Sequence, residues 1–591
     1  MIVPMKKVTL LVQAKDAESS VRKLGTLGVV HVENINQPKG ADITSLQDDI
    51  ALITKALDIL SMNEYKGRSG LKKIKILPDW RFAAKHVVDL YLRLDQLEEY
   101  LRNMKIAVSE WERWGDFDPD DIAKLREKDI FVRLYEAPTK ALAGFREKGF
   151  SIKILSIASG TAKAAIITKG PIDAPFKEIP LPKMSLRVMR ERVAEDGSTI
   201  EVIKDCIRKH EFYRDRLCAV KSAIERELEF HEARNGMGMD GAISYLTGYA
   251  PQDAVEALKL TALKERWALL VKDPAPEDNV PTLVRNPRWV SIISPIFKLI
   301  EIVPGYREMD ISPVFLLFLS LFFGMIIGDA GYGAIYIALT FFAHKKFGKK
   351  MKDRRVFYLL YLFSASAVLW GLVTGTVFGQ EWYIKAGFKA FIPILNDTKF
   401  LQAFCFFIGA VHLTIGQGWQ AVRKLPSLTA LADVGWISVL WAAFFLARML
   451  ILSDPLPGFI KWLIIGGVAL VLFCTSPSRN IFKMIGTGLG TILLNIMNNF
   501  TDVVSYVRLF AVGLAGVAIS DTVNALASSL GGGNFPAHFA IVFLGHTINI
   551  VLGPMSVLVH GIRLNVLEFS SHAGLTWGGI QYKPLENLQR N

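Results

Sequence analysis

Two patterns of apolar and polar positions divide the chain. Over roughly the first 290 of 591 residues charged and apolar positions intermix at short range, whereas from Ile311 to Phe569 apolar residues dominate and polar gaps are short. A run of about 20 apolar residues suffices for a helix to cross a bilayer, so the first part reads as soluble and the second as polytopic in a membrane. The expected domains are 1–290 and 291–591.

In the soluble part KKVTLLVQ, DAESSVRKLGTLG and VVHVENI have the periods of a strand, a helix and a strand, and IFVRLYEA through KAAIITKG suggests a second α/β lobe. Between the lobes Ile43, Leu46, Ile50, Ile53, Leu57 and Leu60 step by alternating threes and fours, as do Val87, Leu90, Leu94, Leu97, Leu101 and Met104. A returning helix over about 199–235 carries Ile200, Ile203, Ile207, Leu217, Val220, Ile224 and Leu228 with a less regular seam. These seams predict a coiled-coil hairpin with a globular tip. A compact helical bundle would use the same residues. AISYLTGYAPQDAVEALKLTALKERWALLVKD offers a further strand, helix and strand, and PAPEDNVPTLVRNP a linker.

The first apolar run, 311–343, would be about 50 Å long as one helix, against a hydrocarbon core of roughly 30 Å. GDAGYG interrupts it with Gly328, Asp329, Gly331 and Gly333, residues suited to a tight turn between two short crossings. That hairpin places the seven Lys or Arg of HKKFGKKMKDRR on the cytoplasmic side, where positive loops belong. Further crossings follow at about 356–379, 401–421, 433–453, 459–475, 484–530 and 536–569. AVRKLPS and SPSRNIFK then fall inside, SDPLPG and GGGNFP outside. The expected fold is an α-helical polytopic membrane domain of about eight transmembrane helices, the last two long and tilted, behind an N-terminal α/β cytoplasmic domain with a coiled-coil arm.

The opening MIVPMKKVTLLVQAKDAESS lacks a long apolar segment before a small-residue cleavage site, so no secretory signal is read and both the N-terminal domain and the C-terminus are expected in the cytoplasm. The net charge of +13 lies largely beside membrane helices, which points to lipid headgroups and away from nucleic acid. The four cysteines show no metal or disulfide spacing, no phosphate loop GxxxxGK[ST] occurs, and neither a metal nor a cofactor is expected.

Candidate chemistry gathers in the last two helices. SYVRLFAVGLAG sets Arg508 within an otherwise apolar helix, a placement costing roughly 2.5–3.5 kcal/mol on insertion scales, so it calls for a partner, a cavity or a water path. Asp502, Ser505 and Arg508 step by threes, and Ala511, Ala515 and Gly516 beside them have little bulk and permit close approach of another helix. On the last helix His546, Asn549, Gly553, Ser556, His560, Arg563 and Leu567 follow helical steps along one face, with Glu568 next to them. Polar ties between helices would also produce such a stripe, and an internal carboxylate could hold Arg508 as its counter-ion.

SYVRLFAVGLAGVAIS, GHTINIVLG, HGIRLNVLEF, FFGMIIGDAGYG, WGLVTGTVFG and the tail YKPLE resemble the a subunit, or subunit I, of V-type and A-type rotary ATPases over nearly the whole chain, with prokaryotic-like short loops. The resemblance implies a stator that carries proton or sodium half-channels coupled to ATP chemistry on other subunits. Arg508 matches the family's membrane arginine and Arg563 its second arginine. Ring subunits with a membrane carboxylate, peripheral-stalk subunits and, indirectly, the catalytic sector are the implied partners. Asp502, Ser505, His546, Asn549, Ser556, His560 and Glu568 become half-channel candidates, and Ala511, Ala515 and Gly516 the rotor-facing surface. Several eukaryotic members carry an acid ten positions before the second arginine, where this chain has Gly553. A secondary transporter with a regulatory domain should show paired repeats with broken helices, which the sequence lacks. A non-transporting scaffold leaves the polar stripe unexplained.

Overall fold

The computed structural model describes residues 1–62, 64–65, 79–142, 150–158, 160–170, 176–349, 351, 353–379, 392–475, 481–529 and 535–586. Parts of three loops read for their charge, HKKFGKKMKDRR, SPSRNIFK and GGGNFP, fall outside these. The chain forms two compact units, one of Met1–Thr9, Val29–His31 and Gly248–Pro584, the other of Leu10–Gly28, Val32–Thr247 and Leu585–Asn591.

Strands β1 (Met5–Gln13), β2 (His31–Glu33), β7 (Gly238–Asp240), β8 (Ile243–Pro251) and β9 (Ala268–Lys272) build a sheet of order β2-β8-β1-β9, with β7 on β8. In β1 the alternation expected of a half-buried strand is met by Val8, Leu10 and Val12, all buried, while Met5 is buried on the other face. A second sheet, of β3 (Phe131–Pro138), β4 (Ser151–Ala158), β5 (Thr161–Thr168) and β6 (Lys177–Ile179), has the order β4-β5-β3-β6 and antiparallel pairing. The soluble helices are α1 (Ala17–Leu27), α2 (Ala41–Ser61), α3 (Trp80–Trp111), α4 (Pro119–Arg126), α5 (Leu186–His210), α6 (Arg214–Asn235) and α7 (Val255–Glu265). Asp79 caps α3 by accepting from Arg81 N at 2.9 Å, and Gly28 ends α1 in the left-handed region at φ +65°. Ile53 and Leu60 of α2, Val87 and Leu94 of α3, Ile200, Ile203 and Ile207 of α5, and Leu217 and Ile224 of α6 share one apolar core. Residues picked out by their spacing therefore meet across four helices. Lys204 bridges Glu64 at 2.8 Å and Glu98 at 2.7 Å along its edge.

The apolar part comprises α8 (Ser294–Leu299), α9 (Ser312–Ile327), α10 (Ala330–Phe347), α11 (Arg355–Thr374), α12 (Thr398–Lys424), α13 (Thr429–Leu452), α14 (Ile460–Cys474), α15 (Ile481–Ser505), α16 (Val507–Ser529) and α17 (Phe535–Ser556). Two π-helical turns, Val557–Gly561 and Leu564–Phe569, carry α17 on to α18 (Ser570–Ala573). Among the described residues five helices are long and apolar enough to cross a bilayer, or six if the bent pair α9 and α10 is one span. The expected eight counted α9 and α10 separately and added α14, which has 15 residues. Between α9 and α10 the chain turns by 119°. Gly328 closes α9 at φ +64°, and Asp329 opens α10, its Oδ1 accepting from Gly331 N at 2.7 Å and Tyr332 N at 3.1 Å. A Cβ on Gly331 would meet the Phe378 ring at 2.8 Å and one on Gly333 would meet Val368 at 2.7 Å, so both glycines mark close packing at the bend. Phe315, Phe322, Phe406, Leu413, Leu440, Tyr506, Leu564 and Phe569 form the core of this part.

Polar anchoring fixes the segment after α18 to the loop before α9. Glu308 accepts from Thr576 N at 2.7 Å and Oγ1 at 2.6 Å through Oε1, and from Gly305 N at 2.7 Å through Oε2. Partial burial disfavours its charge, but these donors outweigh it and hold the carboxyl below the usual range. A depressed folded-state pKa stabilises above the unfolded value, near 4.3, and that stability is lost as pH falls through the folded one. Glu308→Gln is therefore expected to lower the thermal unfolding midpoint at pH 7, and the gap to the unsubstituted protein should close as pH drops below about 4. A gap independent of pH would remove the ionised carboxylate as its cause.

Candidate functional site

The last two long helices and their π turns bring three ionisable side chains together. Arg508, in the first turn of α16, donates from Nη2 to Glu568 Oε1 at 2.5 Å, and Arg563 Nε lies 3.6 Å from the same oxygen. Glu568 is 5% exposed, Arg508 21% and Arg563 57%. The pairing is single-armed. Arg508 Nη1 and Glu568 Oε2 are buried without a hydrogen-bond partner among the described residues.

The local winding explains why Arg563 and Glu568 meet. In an α-helix residues five apart point about 140° away from each other, whereas a π turn, closed by i→i+5 bonds, stacks them. Pro554 lies just before the π turns and has no N–H to give Ile550 O. The hydroxyl of Tyr336 on α10 takes that role, donating to Ile550 O at 2.8 Å.

A second polar group lies above Pro554. Tyr332 Oη is 2.6 Å from His546 Nδ1 and 2.7 Å from Ser520 Oγ, and Asn549 Nδ2 donates to Tyr332 Oη at 3.1 Å, to Ser520 Oγ at 2.8 Å and to Gly516 O at 2.8 Å. His546 Nε2 continues the chain to Asn524 Oδ1 at 3.0 Å. One tyrosine of α10 thus ties α16 to α17. A Cβ on Gly553 would lie 2.6 Å from Ile327 Cδ1 and 3.1 Å from Tyr336 Oη, so a larger side chain here requires the ends of those two side chains to shift.

A third group opens on a polar cavity. Asp502 Oδ2 is 3.0 Å from His572 Nε2, and the cavity beside them is lined by Gln417, Lys424, Asp433, Asn495, Asn498 and Asn499 among others. Its walls and size suit several water molecules. Lys424 bonds Asp433 at 2.9 Å, and Asp433 also accepts from Gln417 at 3.2 Å. Tyr506, at the junction of α15 and α16, bonds His412 Nδ1 at 2.8 Å, and that imidazole stacks between Phe318 and Phe569 with centroids 3.9 and 4.4 Å away.

Of the residues singled out by sequence, the structure joins Arg508, Arg563 and Glu568, places Asp502 against His572, and puts His546 and Asn549 in one network. Ser505, Ser556 and His560 are half-buried and make no side-chain hydrogen bond among the described residues. Ala511 and Ala515 are exposed on the face that carries Arg508, while Gly516 is half-buried. Tyr332, Tyr336, His412, Tyr506, Ser520, Asn524 and His572 were not anticipated. The tyrosines at 332 and 336 step by four on α10, a signal masked by reading GDAGYG only as a turn.

No family model matches the chain. Curated relatives do: "V-type ATP synthase subunit I" of Borreliella burgdorferi is 30% identical over 621 aligned positions, covering 100% of both chains. "V-type ATP synthase subunit I 1" of Treponema pallidum is 31% identical over 99% of each chain. "A-type ATP synthase subunit I" of Methanocaldococcus jannaschii is 25% identical over 80% of this chain and 70% of that one. A solved cytoplasmic N-terminal domain of subunit I, homolog of subunit a, of V-ATPase matches 45% of this chain and 99% of that domain at 15% identity, with a TM-score of 0.25, too loose to bear on the fold. The helices and their buried ionisable groups define a multi-helix membrane protein with polar chemistry between its last helices. The chain belongs to the family of V-type and A-type ATP synthase subunit I.

Proposed function

We infer that the chain is the membrane stator of a rotary ATPase, with Arg508 facing the carboxylates of a rotor ring and two polar regions serving as offset ion half-channels. The observation that carries this reading is the state of Arg508: one guanidinium nitrogen is held by Glu568, the other is buried without a partner among the described residues, and Ala511 and Ala515 leave a low surface on the same face. A guanidinium has donors to spare for a second carboxylate. Passage of a ring carboxylate lowers its proton affinity beside the fixed cation, so it releases its ion there, and the arginine itself passes no proton across.

The cavity of Asp502, His572 and the asparagines is the cytoplasmic half-channel, and the network of Tyr332, His546, Asn549 and Asn524 belongs to the opposite one. Residues 1–290 form the cytoplasmic arm, including the helical coiled coil, that meets peripheral-stalk subunits. Eight crossings, with α9 and α10 as a hairpin, put both termini in the cytoplasm. Either proton or sodium fits this reading, because the ion is chosen at the ring carboxylate.

In the assembled complex, Ala515→Cys is expected to crosslink to a cysteine placed one turn from the membrane carboxylate of the ring subunits, with yield on many ring copies once ATP turns the rotor. Assembled complexes in which Ala515→Cys reacts from bulk lipid but never with the ring would remove the rotor-facing assignment.

A further inference from the structure

We propose that Glu568 sets the net charge of the arginine site and positions Arg508, so that the site presents one uncompensated positive charge to each arriving carboxylate. The inference rests on the stator reading and deepens it. Two guanidiniums share a single carboxylate oxygen, with Arg508 Nη2 at 2.5 Å and Arg563 Nε at 3.6 Å from Glu568 Oε1. The nearby acid on α15, Asp502, is turned to His572 at 3.0 Å. Two cations and one anion leave one net positive charge. At low dielectric this residual charge dominates the interaction with an incoming carboxylate, whose own single negative charge brings the cluster to neutrality.

The geometry fits a guide better than a lock. A two-armed arginine–carboxylate fork would use both oxygens and both terminal nitrogens. Here Glu568 Oε2 and Arg508 Nη1 are each buried and left over, so Arg508 is oriented by one arm and is not locked into a fork with Glu568. The π turn at Leu564–Phe569 is what delivers Glu568 to this position, because an α-helical turn would point it away from Arg563. Without Glu568 the site would carry two positive charges, hold a ring carboxylate too strongly and slow its departure. Without Arg563 the site would be neutral and draw the carboxylate weakly.

The test uses the intact complex in proteoliposomes, measuring initial ATP-driven ion pumping alongside subunit content. Glu568→Gln and Arg563→Gln are each expected to cut pumping by about tenfold or more, and the double variant Glu568→Gln/Arg563→Gln, which restores the net charge, to pump at least about fivefold faster than Glu568→Gln alone. A merely structural role makes the double variant no better than the worse single one. Glu568→Asp keeps the charge and is expected to retain more pumping than Glu568→Gln. Unchanged pumping by Glu568→Gln, a double variant at or below the slower single, loss of assembly in the double as in the single, or Glu568→Asp failing as badly as Glu568→Gln each overturn the proposal. The stator reading fails separately, through normal pumping by an assembled Arg508→Ala complex.

Discussion

Complexes carrying Arg508→Ala are expected to assemble and yet pump no ions above background, while the catalytic sector released from them hydrolyses ATP at the unsubstituted rate. On the stator reading, loss of the guanidinium removes the fixed cation that would drive a ring carboxylate to give up its ion, and it leaves Glu568 buried with Arg563, at 3.6 Å, as its ion-pair partner among the described residues. Arg508→Lys is expected to fail nearly as completely. An ammonium is a single point charge that can shed its proton when buried, and it lacks the planar fork by which one nitrogen holds Glu568 while another carries donors that Glu568 does not use. Ser505→Ala, which removes a half-buried hydroxyl without a side-chain hydrogen bond among the described residues, should lower the rate far less. The readout is the ATP-driven gradient in vesicles, normalised to assembled complex. Pumping at the unsubstituted rate by Arg508→Ala would leave this arginine as no more than the counter-ion of Glu568.

The second large effect is expected at Asp329, through folding. Its side chain is 1% exposed and accepts three backbone N–H groups, from Gly331 at 2.7 Å and Tyr332 at 3.1 Å on one oxygen and from Gly379 at 2.7 Å on the other. Asp329→Ala strands all three, and at about 1–3 kcal/mol for each buried donor left unpaired the loss exceeds roughly 3 kcal/mol. That is a large share of the stability of a typical domain. The variant should accumulate poorly in membranes and unfold at a markedly lower temperature in detergent. Asp329→Asn should be intermediate, since its amide oxygen can still cap α10 while its NH₂ opposes the Gly379 N–H. Equal stability of Asp329→Ala and the unsubstituted protein would show that the bend at 328–333 is held by packing alone.

Much of the candidate site was legible because helical period and the cost of charge in an apolar run are both local properties. Arg508, Asp502, His546 and Asn549 stood out for those reasons, and Ile53, Leu60, Val87 and Leu94 from the two seams share one core, as either a coiled coil or a compact bundle would have them do. What stayed hidden was nonlocal or out of phase. The stripe from His546 was extended past Pro554 with an α-helical step, but two π turns change the phase there, so the Arg563–Glu568 contact could not be read from spacing. Tyr332 and Tyr336 lie 188 to 217 residues from their partners, and nothing near them in the chain announces a hydrogen bond to the last helix. The bond of His412 to Tyr506 depends on how α12 crosses the start of α16, which no local pattern announces.

The crowding at Gly553 bears on how this lineage can change. An acid introduced there by a single substitution would collide with Ile327 and with the Tyr336 hydroxyl, yet trimming Tyr336 first would strip the carbonyl of Ile550 of the donor that stands in for the absent amide of Pro554. The Ile327 side chain can turn aside to admit the acid, whereas loss of the Tyr336 hydroxyl leaves the Ile550 carbonyl without that donor. Positions 327, 336 and 553 share one packed spot, and a history that passed from glycine to acid at 553 should favour accompanying change at 327 or 336.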